Sequence, residues 1–207
     1  MFIIEMLLST RRIIHTLALI AVVFCYCTPP HTLNYTDSGI KTMSEVKLDS
    51  LFAALQLAEE DHQQEKLENS IWEIWMDSGD AQVDKIMESG MIEMGLGNYT
   101  EAIKAFSKII KMSPDYAEGW NKRATAYFLR GDFKASLKDI EETLSREKRH
   151  FGAISGRLSI QSLMGDNPGS LQSLRKLHKL LPYEEQLERE IQKLEEKLGI
   201  RRIWFYP

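Results

Sequence analysis

The side chains able to do chemistry in this sequence are few and scattered. His62, His150 and His178 lie far apart, and none stands at a ligand spacing such as His-Glu-x-x-His, so they read as exposed or internally satisfied side chains. Cys25 and Cys27 are the two cysteines. A Cys-x-Cys pair supplies two thiolates where a structural zinc site needs about four ligands, and both lie inside an apolar run, so they read as small hydrophobes. Gly95-Leu96-Gly97 opens like a dinucleotide loop but follows a helical pattern and lacks the third glycine, which leaves a turn between helices as the better account. Ser173-x-x-Lys176 has the spacing of a Ser/Lys hydrolase without its companion motifs. Asn34-Tyr35-Thr36 and Asn98-Tyr99-Thr100 are formal glycosylation sequons. No catalytic constellation assembles, and neither a cofactor nor a metal is implied. The expectation is a chain that is not an enzyme.

With no chemistry to position, the elements themselves carry the reading. The net charge of −4 is mild and lacks the basic footprint of a nucleic-acid binder. Sparse Pro and Gly with plentiful charge suit a helical fold. Residues 1–27 differ from the rest: Arg11-Arg12 precede an apolar run from Ile13 to Cys27, and Pro29-Pro30 stop any helix there. A basic stretch before ~7–15 apolar residues is signal-peptide anatomy, whereas a span needs roughly 20. Export with cleavage is expected, with an uncleaved membrane anchor as the other reading. Residues 28–47 read as a linker.

The phase of the sequence from Val83 onward is its most informative property. Gly97-Asn98-Tyr99, Gly131-Asp132-Phe133 and Gly165-Asp166-Asn167 recur at an interval of 34 residues. Pro114, Lys148 and Pro182 share that interval, as do Ala102, Ser136 and Ser170, and Phe106, Ile140 and Leu174. Each glycine ends a helix in the left-handed conformation, and the polar residue after it favours a tight turn. Small residues at 102 and 136 let the second helix of a unit lie close to its neighbour. Ala102, Ile103, Phe106, Ile109 and Ile110 make one apolar stripe.

These residues resemble the tetratricopeptide family, whose unit is a helix–turn–helix of this length. Unit 117–150 carries Trp120, Ala124, Tyr127, Gly131, Phe133 and Ile140 at the signature positions. Unit 83–116 keeps Gly90, Gly97, Tyr99, Ala102, Phe106 and Pro114, with Ile86 in place of the Trp; unit 151–184 is weaker, with Leu158 where the family prefers a small residue. Residues 48–82 read as a degenerate helix pair of the same type, with stripes Leu51, Phe52, Leu55, Ala58 and Leu67, Ile71, Ile74, Trp75. Leu187, Ile191, Leu194 and Leu198 mark a capping helix over 185–199 (a short coiled coil is the other reading), and 200–207 form a tail. The resemblance implies an all-α solenoid curved around a groove lined by first helices.

In the family register that groove is lined by Asp84, Met87, Met91 and Met94, then Glu118, Asn121, Lys122, Thr125, Phe128 and Leu129, then Ser155, Ser159 and Ser162. A methionine wall adapts to varied apolar partners. The family's carboxylate clamp would fall on Met87, Met91, Lys122, Gly152 and Gly156, of which Lys122 alone fits, so a clamped C-terminal tail is disfavoured. Charge is divided: nine acidic residues and one basic stand between Asp49 and Gln82, against eight basic and six acidic between Ala117 and Phe151. The block Pro114–Gly156 is similar to small exported tetratricopeptide proteins of Gram-negative bacteria. The expected function is an exported adaptor, periplasmic or held at the inner membrane, binding a peptide or helix of another protein in its groove. The competing expectation is a membrane-anchored structural subunit that assembles an envelope complex, by self-association if need be. No nucleic acid is expected, and membrane contact only through an uncleaved leader.

Overall fold

A computed structural model describes residues 42–58, 60–182 and 185–200. The expected leader, the linker as far as residue 41 and the tail beyond Ile200 lie outside them. Among the described residues there are nine helices and no strand. Three hairpins form the body of the fold: α3 (Ala81–Gly95) with α4 (Tyr99–Met112), α5 (Ala117–Arg130) with α6 (Phe133–Arg146), and α7 (Phe151–Leu163) with α8 (Asn167–Leu180). Each packs on the next through its second helix, α4 on α5 and α6 on α7, while α3, α5 and α7 adjoin as one layer. The helix α9 (Glu185–Lys197) lies on α8 and buries Leu187 and Ile191.

The recurring turn is one structure made three times. Gly97, Gly131 and Gly165 hold φ values of +80°, +87° and +72°. The amides of Asn98, Asp132 and Asp166 reach back to the carbonyls of Glu93, Tyr127 and Gln161, each at 2.9 Å. That bond satisfies a carbonyl the helix end would otherwise leave bare, and it requires the left-handed residue that L side chains resist. Phe133 then folds back onto Phe128 of its own hairpin, with ring centroids 5.7 Å apart. Packing follows from residue size. Gly90 of α3 sits so near α4 that an added Cβ would stand 2.6 Å from a ring carbon of Phe106, which is fully buried. The Ser136 hydroxyl donates to the Ala124 carbonyl at 2.8 Å, tying α6 to α5. The stripe on α4 from Ala102 to Ile110 is buried throughout.

The N-terminal pair departs from expectation. Helix α1 (Met43–Leu55) begins inside the segment read as linker, because Thr42 and Glu45 close a capping box: the Glu45 amide donates to Thr42 Oγ1 at 3.1 Å and the Thr42 amide to Glu45 Oε2 at 2.6 Å. Helix α2 is Asp61–Met76. The two form a hairpin, but it is not stacked in front of α3 as a first repeat would be. Instead α2 packs on α5 and the start of α7, while α1 reaches the far end of the array. Gln56 Nε2 donates to the Leu180 carbonyl at 3.0 Å, and Asp49 pairs with Arg149 at 2.6 Å. The Tyr116 hydroxyl, just before α5, donates to the Met76 carbonyl at 2.9 Å. The hairpin therefore runs back across the opening turns of α7 and α5 towards α3. It packs as a strap across the array.

Candidate functional site

Beneath the strap lies a sealed polar cluster. Glu118, near the start of α5, is 1% exposed and His150, at the N-cap of α7, is 0% exposed. His150 Nδ1 accepts from the Ala153 amide at 3.2 Å, which leaves Nε2 to donate to the Glu118 carboxylate at 2.8 Å. Lys122 Nζ approaches the same carboxylate at 2.9 Å, and Asn121 Nδ2 donates to it at 3.1 Å. Burial alone would push the Glu118 carboxyl up, but the hydrogen bond from His150 and the charge of Lys122 together hold it below its ordinary value. Over this cluster Trp75 stacks on the imidazole, with centroids 4.2 Å apart and planes within 9°. Trp72 meets His150 and Phe151 edge-on, and Lys122 sits 5.3 Å from its ring centroid. The His–Glu–Lys grouping looks like acid–base machinery. The Glu118 carboxylate and both ring nitrogens of His150 are engaged internally, and two indoles cover the imidazole.

The predicted groove residues separate into three sets. Met87 and Met91, with half-buried Asp84, line an open groove of about 510 Å³ together with Met76, Glu88 and Ile92. Met91 is 39% and Ile92 57% exposed, so the floor faces water. Asp84 is held by Ser78, whose hydroxyl donates to Oδ1 at 2.5 Å. Met94 turns inward against the core formed with Val83 and Phe106. Glu118, Asn121 and Lys122 form the second set, and the strap covers them. Thr125, Phe128, Leu129, Ser155 and Ser159 are the third. Thr125 and Ser159 donate to carbonyls one turn back, at 3.0 Å each, and Phe128 joins the core. Ser155, Ser159 and Ser162 are exposed, as is Leu129, but they line none of the groove.

Sequence reasoning missed Met76, Glu88 and Ile92 in the groove and the cover that Trp72 and Trp75 form over His150 beneath the strap. One signal was present: Leu67, Ile71, Trp72, Ile74 and Trp75 make α2 apolar over more than one face. The other chemical candidates dissolve. Ser173 donates its proton to Gln161 at 2.7 Å. Lys176 is lowered from its ordinary value, first by burial and then by Arg157. Among the described residues no cluster of three or more His, Cys, Asp or Glu is arranged to hold a metal, and no helix is long and apolar enough to cross a membrane.

A sequence profile of the family described as Tetratricopeptide repeat matches residues 87–116, within the α3–α4 hairpin and the turn after it. A TPR repeat-containing protein of Rhizobium etli is 28% identical over 194 residues, spanning 90% of this chain and 95% of that one. The first TPR domain of Spaghetti (RPAP3), solved with the HSP90 peptide SRMEEVD, superposes with a TM-score of 0.53 over 58% of this chain and 96% of that domain, at 21% identity. Residues 87–116 match a tetratricopeptide repeat, and the chain shares the fold of tetratricopeptide domains. The MamA protein shares the fold across a longer stretch, with a TM-score of 0.52 over 76% of this chain and 84% of MamA at 14% identity.

Of the expected clamp positions, the strap bears on Gly152 and Lys122. An added Cβ at Gly152 would stand 2.7 Å from the Trp72 indole, so glycine is what the close approach of the strap allows. Lys122, the one clamp residue retained, is turned to Glu118 and the Trp72 face.

Proposed function

We propose that this chain is a protein-interaction scaffold that receives a peptide or helix of a partner in the groove between the end of α2 and the outer face of α3. The observation that carries this reading is the open groove of Met76, Met87, Met91 and Ile92, where Met91 and Ile92 stand exposed above buried Met87. Solved relatives of the same fold hold peptides of partner proteins, as the Spaghetti domain holds its HSP90 peptide. The clamp that would select a C-terminal carboxylate is not built, so the partner engages through side chains along its length. A role in binding and not catalysis fits a cluster in which Glu118 and His150 are engaged internally.

The test uses a photo-crosslinking residue at Ile92 in the native host, beside the same residue at Lys104, whose side chain is 67% exposed on α4. The scaffold reading expects a discrete adduct from position 92 that disappears with Met91→Glu. Adducts unaffected by Met91→Glu, or identical from both positions, defeat it. Phe128→Glu is unsuitable as a second groove change, because Phe128 packs in the core.

Export belongs to the same proposal and is supported by Arg11-Arg12 and the apolar run to Cys27. Mass measurement of the mature chain with alkali extraction of membranes decides it. A mature N-terminus near Thr28 in a soluble fraction supports cleavage and sinks the anchored-subunit alternative.

A further inference from the structure

The groove is apolar below and acidic at its rim. Its lining contains two carboxylates, Asp84 and Glu88, and no lysine or arginine. The strap extends the same sign: one basic residue, Lys66, stands among nine acidic ones from Asp49 to Gln82. Tyr116 reports the local field. Its phenol is held well above the ordinary range, first by burial and then by the carboxylates of Glu118, Asp84 and Asp77. Of these carboxylates Asp77, Asp84 and Glu88 stand where α2 ends and α3 begins.

We propose that the occupant of this groove is a positively charged amphipathic segment of another protein, its apolar side chains on the methionine floor and its lysines or arginines against the Asp84–Glu88 rim. The proposal rests on the groove being the partner site. Methionine suits an occupant read by pattern and charge more than by shape, because its unbranched side chain repacks around different apolar groups. A second copy of this chain fits less well. Its stretch from Ala117 to Phe151, with eight cations against six acids, has five of those cations already paired internally: Lys122 with Glu118, Arg123 with Asp139, Arg130 with Asp132, Arg146 with Glu142, and Arg149 with Glu147 and Asp49. A foreign segment brings unpaired cations to the rim, and complementary charge governs its rate of encounter and its discrimination against acidic competitors.

Two synthetic amphipathic helices with identical apolar positions, one flanked by lysine and arginine and the other by glutamate, are titrated against the full-length chain by calorimetry. The basic peptide is expected to bind about tenfold more tightly at ~50 mM salt, with the difference shrinking severalfold at ~500 mM. Glu88→Lys, an exposed change away from the core, narrows the preference by roughly three- to fivefold, and Met91→Glu abolishes binding of both peptides. Equal affinities, or preference for the acidic peptide, with binding still lost in Met91→Glu would overturn the basic occupant while leaving the groove intact as a site. Failure of both peptides to bind would overturn the occupant and the groove reading together. Dimerisation seen by sedimentation and lost in Met91→Glu would overturn the foreign occupant in favour of a second copy of the chain.

Discussion

Glu118 is the residue on which the strap and the array converge. Its carboxylate accepts hydrogen bonds from His150, Lys122 and Asn121 at once, at a surface the strap covers. Replacing it with Gln turns one acceptor into a donor facing Lys122 and Asn121. The expected cost is about 2–3 kcal/mol in urea-induced unfolding at neutral pH. The pH dependence has a definite sign. Because the folded carboxyl lies below its ordinary value of 4.5, its contribution is complete above that value and is lost as the pH falls through the lower, folded one. The advantage of the native chain over Glu118→Gln should therefore shrink only below about pH 4.5, in parallel urea titrations. An unchanged difference down to strongly acidic pH would show that the carboxylate is not held by these partners.

At the scale of elements, the hairpins and the strap are stabilised differently. Gly90→Ala drives a methyl into the buried Phe106 ring, so the α3–α4 hairpin should lose about 1–3 kcal/mol, read as a fall in Tm. Trp75→Ala removes the stack on His150 and the contact with Phe151, centroid 4.9 Å away, at a cost of about 3 kcal/mol or more. The strap should then open to proteolysis between α1 and α2 while the helices from α3 onward stay protected. Loss of the whole fold at once would mean that the strap is integral to the array. The difference between the elements also governs how far each was legible in the sequence. The 34-residue phase declares the hairpins because the turn needs glycine with positive φ and the neighbour needs a small residue, local demands that leave local marks. The position of the strap depends on Trp72 meeting Gly152 and Asp49 meeting Arg149, pairs separated by many residues with no periodicity to announce them. Met76 and Ile92 escaped for the same reason, since one lies on the strap and the other beside the family's groove positions. Met87 and Met91 were legible because the repeat register alone places them.

For the molecule as a whole, the strap turns a generic concave layer into a shorter site. It covers the opening turns of α5 and α7, lies against Gly152, and supplies Met76 as one wall of the groove that remains. A scaffold of this kind presents an apolar trough near its first hairpin, while α7 turns Ser155 and Ser159 to solvent. Partner contact should accordingly be confined to α2's end and α3. Site-directed photo-crosslinking in the native host tests that most directly, with the probe placed in turn at Ile92 and at Ser155. A discrete adduct from Ile92 alone, removed by Met91→Glu, is the expected result. An adduct formed equally from Ser155, or one from Ile92 that survives Met91→Glu, would contradict it.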